Sequence, residues 1–197
     1  MAAMIQPIQG GEHGEEQHQL DDLLSFLGYR PNALFTMARK PGLLAAVLQL
    51  VHVTLRGPGL LEPELRFLVA CEASRLSGCV YSTAHMLHAA NHQGISWQKL
   101  AALDSYLSSD AFTPAEQAAL TLASAGATLP VVKTEAMFTQ ASAFYNQDEL
   151  VEIVAAIAAF GVFNRWNSLV GSELEAEPAS AFLHIPWLVE MKSNYAN

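Results

Sequence analysis

The stretch NQDELVEIVAAIAAFGVFNRWNSLVG, residues 146–171, decides the fold. Asn146 followed three positions later by Glu149 is a helix-opening pair, and Gly171 is a natural stop. Between them no alternation of apolar and polar residues suggests a strand. From Leu150 to Phe163 the segment is apolar almost all round, the mark of a buried helix. Such a helix is the centre of the core or part of an extensive subunit interface. We expect both, because one small domain rarely encloses a helix completely. Its unbroken apolar run, Ile153 to Phe163, is about half of the roughly 20 residues a bilayer span takes.

The flanking segments are helical too. Thr113-Pro114-Ala115-Glu116 combines a Thr cap, Pro at the first helical position and Glu three after the cap, and opens a helix to Gly126. Residues 133–145 form another. Leu20, Leu23, Leu24 and Leu27 keep helical spacing and stop at Gly28. Pro31-Asn32 and Lys40-Pro41-Gly42 punctuate two further short helices, the second running from Leu43 to Leu55. Pro63 begins a helix that stops at Ser77-Gly78. A new one starts near Cys79 and ends at Gly94, and Ser96 caps a helix through Leu107. The class is all-α, a compact multi-helix domain with a long buried helix toward the C-terminus. Residues 20–197 read as one domain. Residues 1–19, rich in Gln, Gly, Glu and His, read as a mobile tail or a strap on a neighbouring subunit.

Composition narrows the function. The chain has 197 residues, 51% of them hydrophobic and 15% charged, and a net charge of −9 from 10 basic and 19 acidic residues. That size needs neither disulfides nor metal to fold. The acidic balance argues against nucleic acid and against an anionic membrane surface as partners. Cys71 and Cys79 are eight positions apart. In one straight helix that is a rise of roughly 12 Å, beyond the roughly 7 Å that a disulfide tolerates, so free thiols are expected. The N-terminus carries no basic residue or long apolar core of a signal peptide, and the cytoplasm is the expected location.

The chemistry gathers in Gly78-Cys79-Val80-Tyr81-Ser82-Thr83-Ala84-His85-Met86-Leu87-His88. Cys79 follows Gly78 at a helix start, where the dipole and unpaired N–H groups favour a thiolate. Ser82 lies three residues on, within reach of the sulfur. His85 lies three further on roughly the same face and can move a proton near neutral pH. The bland alternative is a small buried Cys beside a hydrogen-bonded core His. His85, His88 and His92 share one helical stripe, but three ligands from one helix converge poorly on a tetrahedral metal, so the reading requires neither metal nor cofactor. Cys71 reads as a buried structural thiol and Glu72 as a helix-surface charge. Asn164-Arg165-Trp166-Asn167 is either a structural network tying helix ends together or one wall of a pocket.

These residues resemble the AhpD-like (alkylhydroperoxidase D-like) and carboxymuconolactone decarboxylase superfamily, closest to its peroxidase-related group. Residues from about 25 to 175 carry the resemblance. It rests on Pro63-Glu64-Leu65-Arg66-Phe67-Leu68-Val69 leading to Cys79-x-Tyr81-Ser82-x-x-His85, on Phe112 to Leu120, and on Asp148 to Ile153 continuing through Phe163-Asn164-Arg165. The resemblance implies an all-helical fold assembled as trimers or hexamers. It also implies a thiol site in which one cysteine attacks a peroxide, a second resolves it, and a His and a Glu move protons. Cys79 matches the first cysteine and His85 the histidine. Ser82 stands at the second cysteine position and Phe67 at the usual glutamate, so an internal Cys79–Ser82 disulfide is impossible. What remains is a one-cysteine route through a sulfenic acid cleared by an external thiol reductant. The expected catalytic residues are therefore Cys79, Ser82 and His85, acting on a small peroxide or small organic substrate. Two alternatives stay open. One is a degenerate binding or scaffold protein. The other is a non-redox decarboxylase or isomerase using His85 as acid or base, with Arg165 or Arg75 holding a carboxylate.

Overall fold

The computed structural model describes residues 3–8, 17–131 and 135–195. Among them there is no strand. The helices are α1 (Gln17–Leu27), α2 (Asn32–Met37), α3 (Leu43–Val51), α4 (Pro63–Leu76), α5 (Val80–His92), α6 (Trp97–Ala101), α7 (Pro114–Ala127), α8 (Glu135–Ala141), α9 (Gln147–Val170), α10 (Ala176–Ala179) and α11 (Pro186–Tyr195). The expected Leu43–Leu55 helix is α3 continued by a π-helical turn, His52–Arg56. The helix capped by Ser96 is α6 continued by a 3-10 segment, Ala102–Ser108.

The hub is α4, which packs against α5, α7 and α9. Every residue from Leu65 to Ser74 is buried. With neighbours on all sides α4 has no solvent face, so Glu72 is fully buried, not a surface charge. Its two oxygens take Arg75 Nε at 2.7 Å and Nη2 at 2.9 Å, and Ser124 Oγ from α7 donates at 2.5 Å. Helix α9 lies against α4, α5 and α7. Ile153, Ala156, Ala159 and Phe160 enter the core, whereas Val151, Val162 and Leu169 are exposed. Taken whole, α9 is long and apolar enough to cross a membrane, the one such helix among the described residues. Its buried face packed on α4 and α7 is that of a core helix.

Local signals explain the boundaries. Thr113 Oγ1 accepts from Glu116 N at 3.2 Å while Glu116 Oε2 accepts from Thr113 N at 2.8 Å. Asn146 Oδ1 and Glu149 Oε2 form the same reciprocal cap on α9, at 3.0 and 2.7 Å. Gly171 ends α9 at φ +64°, where a Cβ would be strained. Of the segment read as a tail, residues 3–8 run along the body, with Met4 N donating to Val170 O and Ile8 N to Phe35 O. Helix α1 begins at Gln17, and residues 1–2 and 9–16 lie outside the described residues.

Candidate active site

Gly78 sets the site. Its φ of +70° turns the chain sharply out of α4. Cys79 N then donates to Ser74 O at 3.2 Å, and Cys79 becomes the residue that opens α5, with extended backbone. Its side chain caps no backbone N–H. Instead Sγ–H donates to Ser82 Oγ at 3.2 Å. Asn167 Nδ2, reaching over from α9, donates to the same oxygen at 3.0 Å, and Ser172 Oγ fixes Asn167 by donating to its Oδ1 at 3.0 Å. Ser82 Oγ thus accepts twice, which leaves its own hydrogen to point at the sulfur once Cys79 is a thiolate. Cys79 is 3% exposed, packed with Ala33, Tyr81 and Leu174.

His85 lies one turn beyond Ser82, but both of its ring nitrogens are engaged away from the sulfur. Nδ1 meets Tyr29 OH at 2.8 Å and Nε2 meets Glu175 Oε2 at 2.7 Å. Tyr81 stacks on the imidazole with ring centroids 4.1 Å apart. It donates its OH to Glu175 Oε1 at 2.9 Å and accepts from Ala33 N at 3.2 Å. Asn32 N also donates to Glu175 Oε1. Burial pushes both phenols well above their ordinary range, and the Glu175 charge adds to this. Tyr29 therefore stays protonated and donates, so Nδ1 accepts and the proton of neutral His85 sits on Nε2. Burial alone would raise the Glu175 carboxyl. The hydrogen bond and charge of His85 and the Asn32 N–H outweigh it and hold the group below its ordinary value.

Beyond this, His88 meets Tyr29 edge-on at 5.6 Å. Burial, then His85 and His92, lower its pKa against an opposing pull from Glu177. His92 is exposed and touches Phe26 edge-on. Among the described residues no group of three or more His, Cys, Asp or Glu is placed to hold a metal. Cys71 is fully buried and free, its thiol pushed up by burial and by Glu72. The Asn164–Asn167 cluster divides its work. Asn167 serves the site, Trp166 Nε1 donates to Thr36 Oγ1 at 2.9 Å, and Arg165 Nη1 donates to Gly161 O. Arg75 is committed to Glu72 and Arg165 is exposed on α9, so neither is presented to His85.

A cavity of about 100 Å³ adjoins this cluster. Ser82, His85 and Asn167 line it beside Phe26, Phe67 and Phe160, with Arg56 among the lining residues. Cys79, hydrogen-bonded to Ser82 and packed with Tyr81, is outside the lining. The structure thus joins Cys79 to Ser82 directly, and Ser82 and His85 share the cavity wall. Sequence reasoning missed Tyr29, Glu175 and Arg56. Phe67, at the expected place of a glutamate, lines the cavity with an aromatic ring, and the Glu175 carboxylate reaches His85 instead.

Fold and site define an AhpD-like helical protein with a solitary motif cysteine. Residues 41–125 match the carboxymuconolactone decarboxylase family, and the AhpD-like helical fold is shared with solved structures. It is similar to the debrominase Bmp8. A cysteine-to-alanine form of Bmp8 in complex with 2,3,4-tribromopyrrole superposes with a TM-score of 0.84 and 28% identity, covering 92% of this chain and 97% of that one. The apo form gives a TM-score of 0.81 at 28% identity, covering 95% and 97%. An uncharacterized peroxidase-related protein from Ralstonia eutropha, with an alkylhydroperoxidase AhpD core, shares the fold at 20% identity and a TM-score of 0.74, covering 91% and 97%. No curated protein matches the sequence.

Proposed function

We propose that the chain is a single-cysteine thiol oxidoreductase that reduces a small, largely apolar peroxide. The observation that carries this reading is the Cys79 Sγ–Ser82 Oγ hydrogen bond at 3.2 Å, with Ser82 itself in the cavity wall. Rotation of the Ser82 hydroxymethyl group opens the sulfur to a molecule in the cavity. Cys79 then attacks one peroxide oxygen. The S–O bond forms as the O–O bond breaks, the sulfur is oxidised to sulfenic acid, and the thiol proton ends on the departing alcohol. An external thiol condenses with the sulfenic acid, releasing water. A second thiol restores Cys79 and leaves as a disulfide. His85 presents its Nε2 proton to substrate only by exchanging the Glu175 bond for one to substrate, while Tyr29 keeps hold of Nδ1.

The likeness to a debrominase over nearly its whole length favours a second substrate for the same sulfur. Attack on an electrophilic bromine of a small heteroaromatic ring transfers that bromine to sulfur as the ring takes up a proton. An external thiol then displaces bromide and leaves a mixed disulfide, which a second thiol reduces. The exposed Val151, Val154, Val162 and Leu169 on α9 support assembly with further copies of the chain, as trimers or hexamers.

The test is substrate-dependent thiol oxidation by purified protein with cumene hydroperoxide or a bromopyrrole. Turnover that is lost in Cys79→Ala and reduced at least tenfold in His85→Ala is expected. Turnover that survives Cys79→Ala and dies with His85→Ala points to a histidine-based decarboxylase or isomerase. No turnover with either substrate leaves a binding or scaffold role.

A further inference from the structure

The cavity has one charged wall residue, and nothing in the thiol chemistry uses it. Arg56 lines the cavity and also a neighbouring surface recess of about 150 Å³ shared with Gln19, Asp22 and His52. Leu23 and Val51 are common to both. Arg56 therefore stands where the interior meets solvent, carried there by the π-helical turn His52–Arg56 that ends α3. Turns of this kind recur at functional sites, because the extra residue redirects side chains. Without it, Arg56 would leave the helix at a different angle.

The guanidinium has no carboxylate partner within ion-pair distance among the described residues. Its hydrogen bond goes to the backbone carbonyl of Asp22, at a long 3.5 Å. The Asp22 carboxylate meets His18 at 3.1 Å and acts on Arg56 by its charge without an ion-pair contact. The Arg56 guanidinium carbon lies over Phe26, 4.6 Å from the ring centroid, and Phe26 is itself cavity wall, stacked on Phe67 at 6.2 Å. An aromatic ring thus holds the guanidinium, and its N–H groups other than the one on the Asp22 carbonyl are left for an anion. The remaining walls are apolar apart from Ser82, His85, Tyr81 and Asn167. At about 100 Å³ the cavity is smaller than the roughly 150 Å³ that holds a single benzene ring, and the recess of about 150 Å³ at Arg56 adjoins it.

We infer that the cavity takes a compact apolar monoanion, a ring-sized body whose acidic group rests on Arg56 while its opposite end faces Ser82 and His85. The inference rests on the proposed site and adds the substrate class: the group that reacts lies distal to the acid. A neutral molecule of the same shape gains only apolar burial, whereas the acid gains a charge-assisted pair at the mouth. Arg56 is a specificity residue here and takes no part in the chemistry at sulfur.

Cys79→Ala protein allows binding to be read without turnover. Benzoate and benzyl alcohol, two probes of one shape, are titrated by calorimetry, with the His85 ring protons followed by NMR to report the location. Benzoate should bind roughly tenfold or more tightly than benzyl alcohol in low salt, a difference of about 1.4 kcal/mol, and both should shift the His85 signals. Arg56→Gln, at an exposed position that leaves the core untouched, should erase the preference and spare the alcohol. Equal affinities, a preference that survives Arg56→Gln, or no shift at His85 would overturn the inference. If this pattern holds while wild-type protein fails to turn over peroxide or bromopyrrole, the thiol reading fails alone. If turnover is found without the Arg56-dependent preference, only the substrate class fails.

Discussion

Glu175 and His85 meet at 2.7 Å across 90 positions of chain, joining the segment after α9 to the middle of the cysteine motif. The carboxylate is the one acidic partner of this histidine among the described residues, and its other oxygen ties down Tyr81 and the start of α2. It acts on the site and on stability together.

Its removal should be felt in a defined pH window. The Glu175 carboxyl is held below its ordinary 4.5 in the folded chain. Its stabilisation is therefore fully present above about 4.5 and is lost as pH falls through the lower folded value. Glu175→Gln should cost about 2 kcal/mol at pH 7, and the gap to wild type should close on acidification below 4.5. Thermal unfolding of both proteins from pH 7 to pH 3 checks this, and a gap that persists at pH 3 would assign the loss to packing.

Tyr29 sets the tautomer of His85. Nitrogen-15 shifts of the imidazole at high pH should report an unprotonated Nδ1 and a protonated Nε2. Tyr29→Phe should mix the two tautomers and cost about 1 kcal/mol, the worth of an ordinary buried hydrogen bond. An unchanged spectrum would mean that Glu175 alone orients the ring.

The pair Glu72–Arg75 inside the hub should behave as a buried charge pair. Glu72→Ala strands the guanidinium and Ser124, and should cost about 3 kcal/mol in denaturant unfolding. A loss below 1 kcal/mol would show that water reaches the pair.

Gly78→Ala places a Cβ in the left-handed region and should cost about 1–2 kcal/mol. The same change should alter the reactivity of Cys79, since the glycine turn places that residue at the head of α5. A neutral substitution would mean that the turn relaxes to another shape.

What the sequence revealed was local. The caps at Thr113 and Asn146, the stop at Gly171, and the Cys79–Ser82 contact all follow from spacings of three or four residues. The helical class and the AhpD-like resemblance came from the same repeats. Glu175 was invisible for the opposite reason. It lies beyond the last strong helical signal, among Glu173 and Glu177, and nothing in its neighbours points to a histidine 90 positions away. The absence of a carboxylate at Phe67 was the one clue that another had to serve. Glu72 was misread as a surface charge because its own helix gives no warning. It is buried because α5, α7 and α9 close around α4. Arg56 falls just beyond the expected Leu43–Leu55 helix, since no sequence pattern announces a π-helical turn.

The central claim is that Cys79 is a working thiol, and site-resolved alkylation against pH tests it most directly. Peptide mass spectrometry separates Cys79 from Cys71, whose deeply buried thiol serves as an internal control. The account predicts that Cys79 reacts faster than Cys71 and that a small dose of peroxide blocks it as a sulfenic acid trapped by dimedone. A Cys79 as inert as Cys71, with no trapped sulfenic acid, would contradict the account.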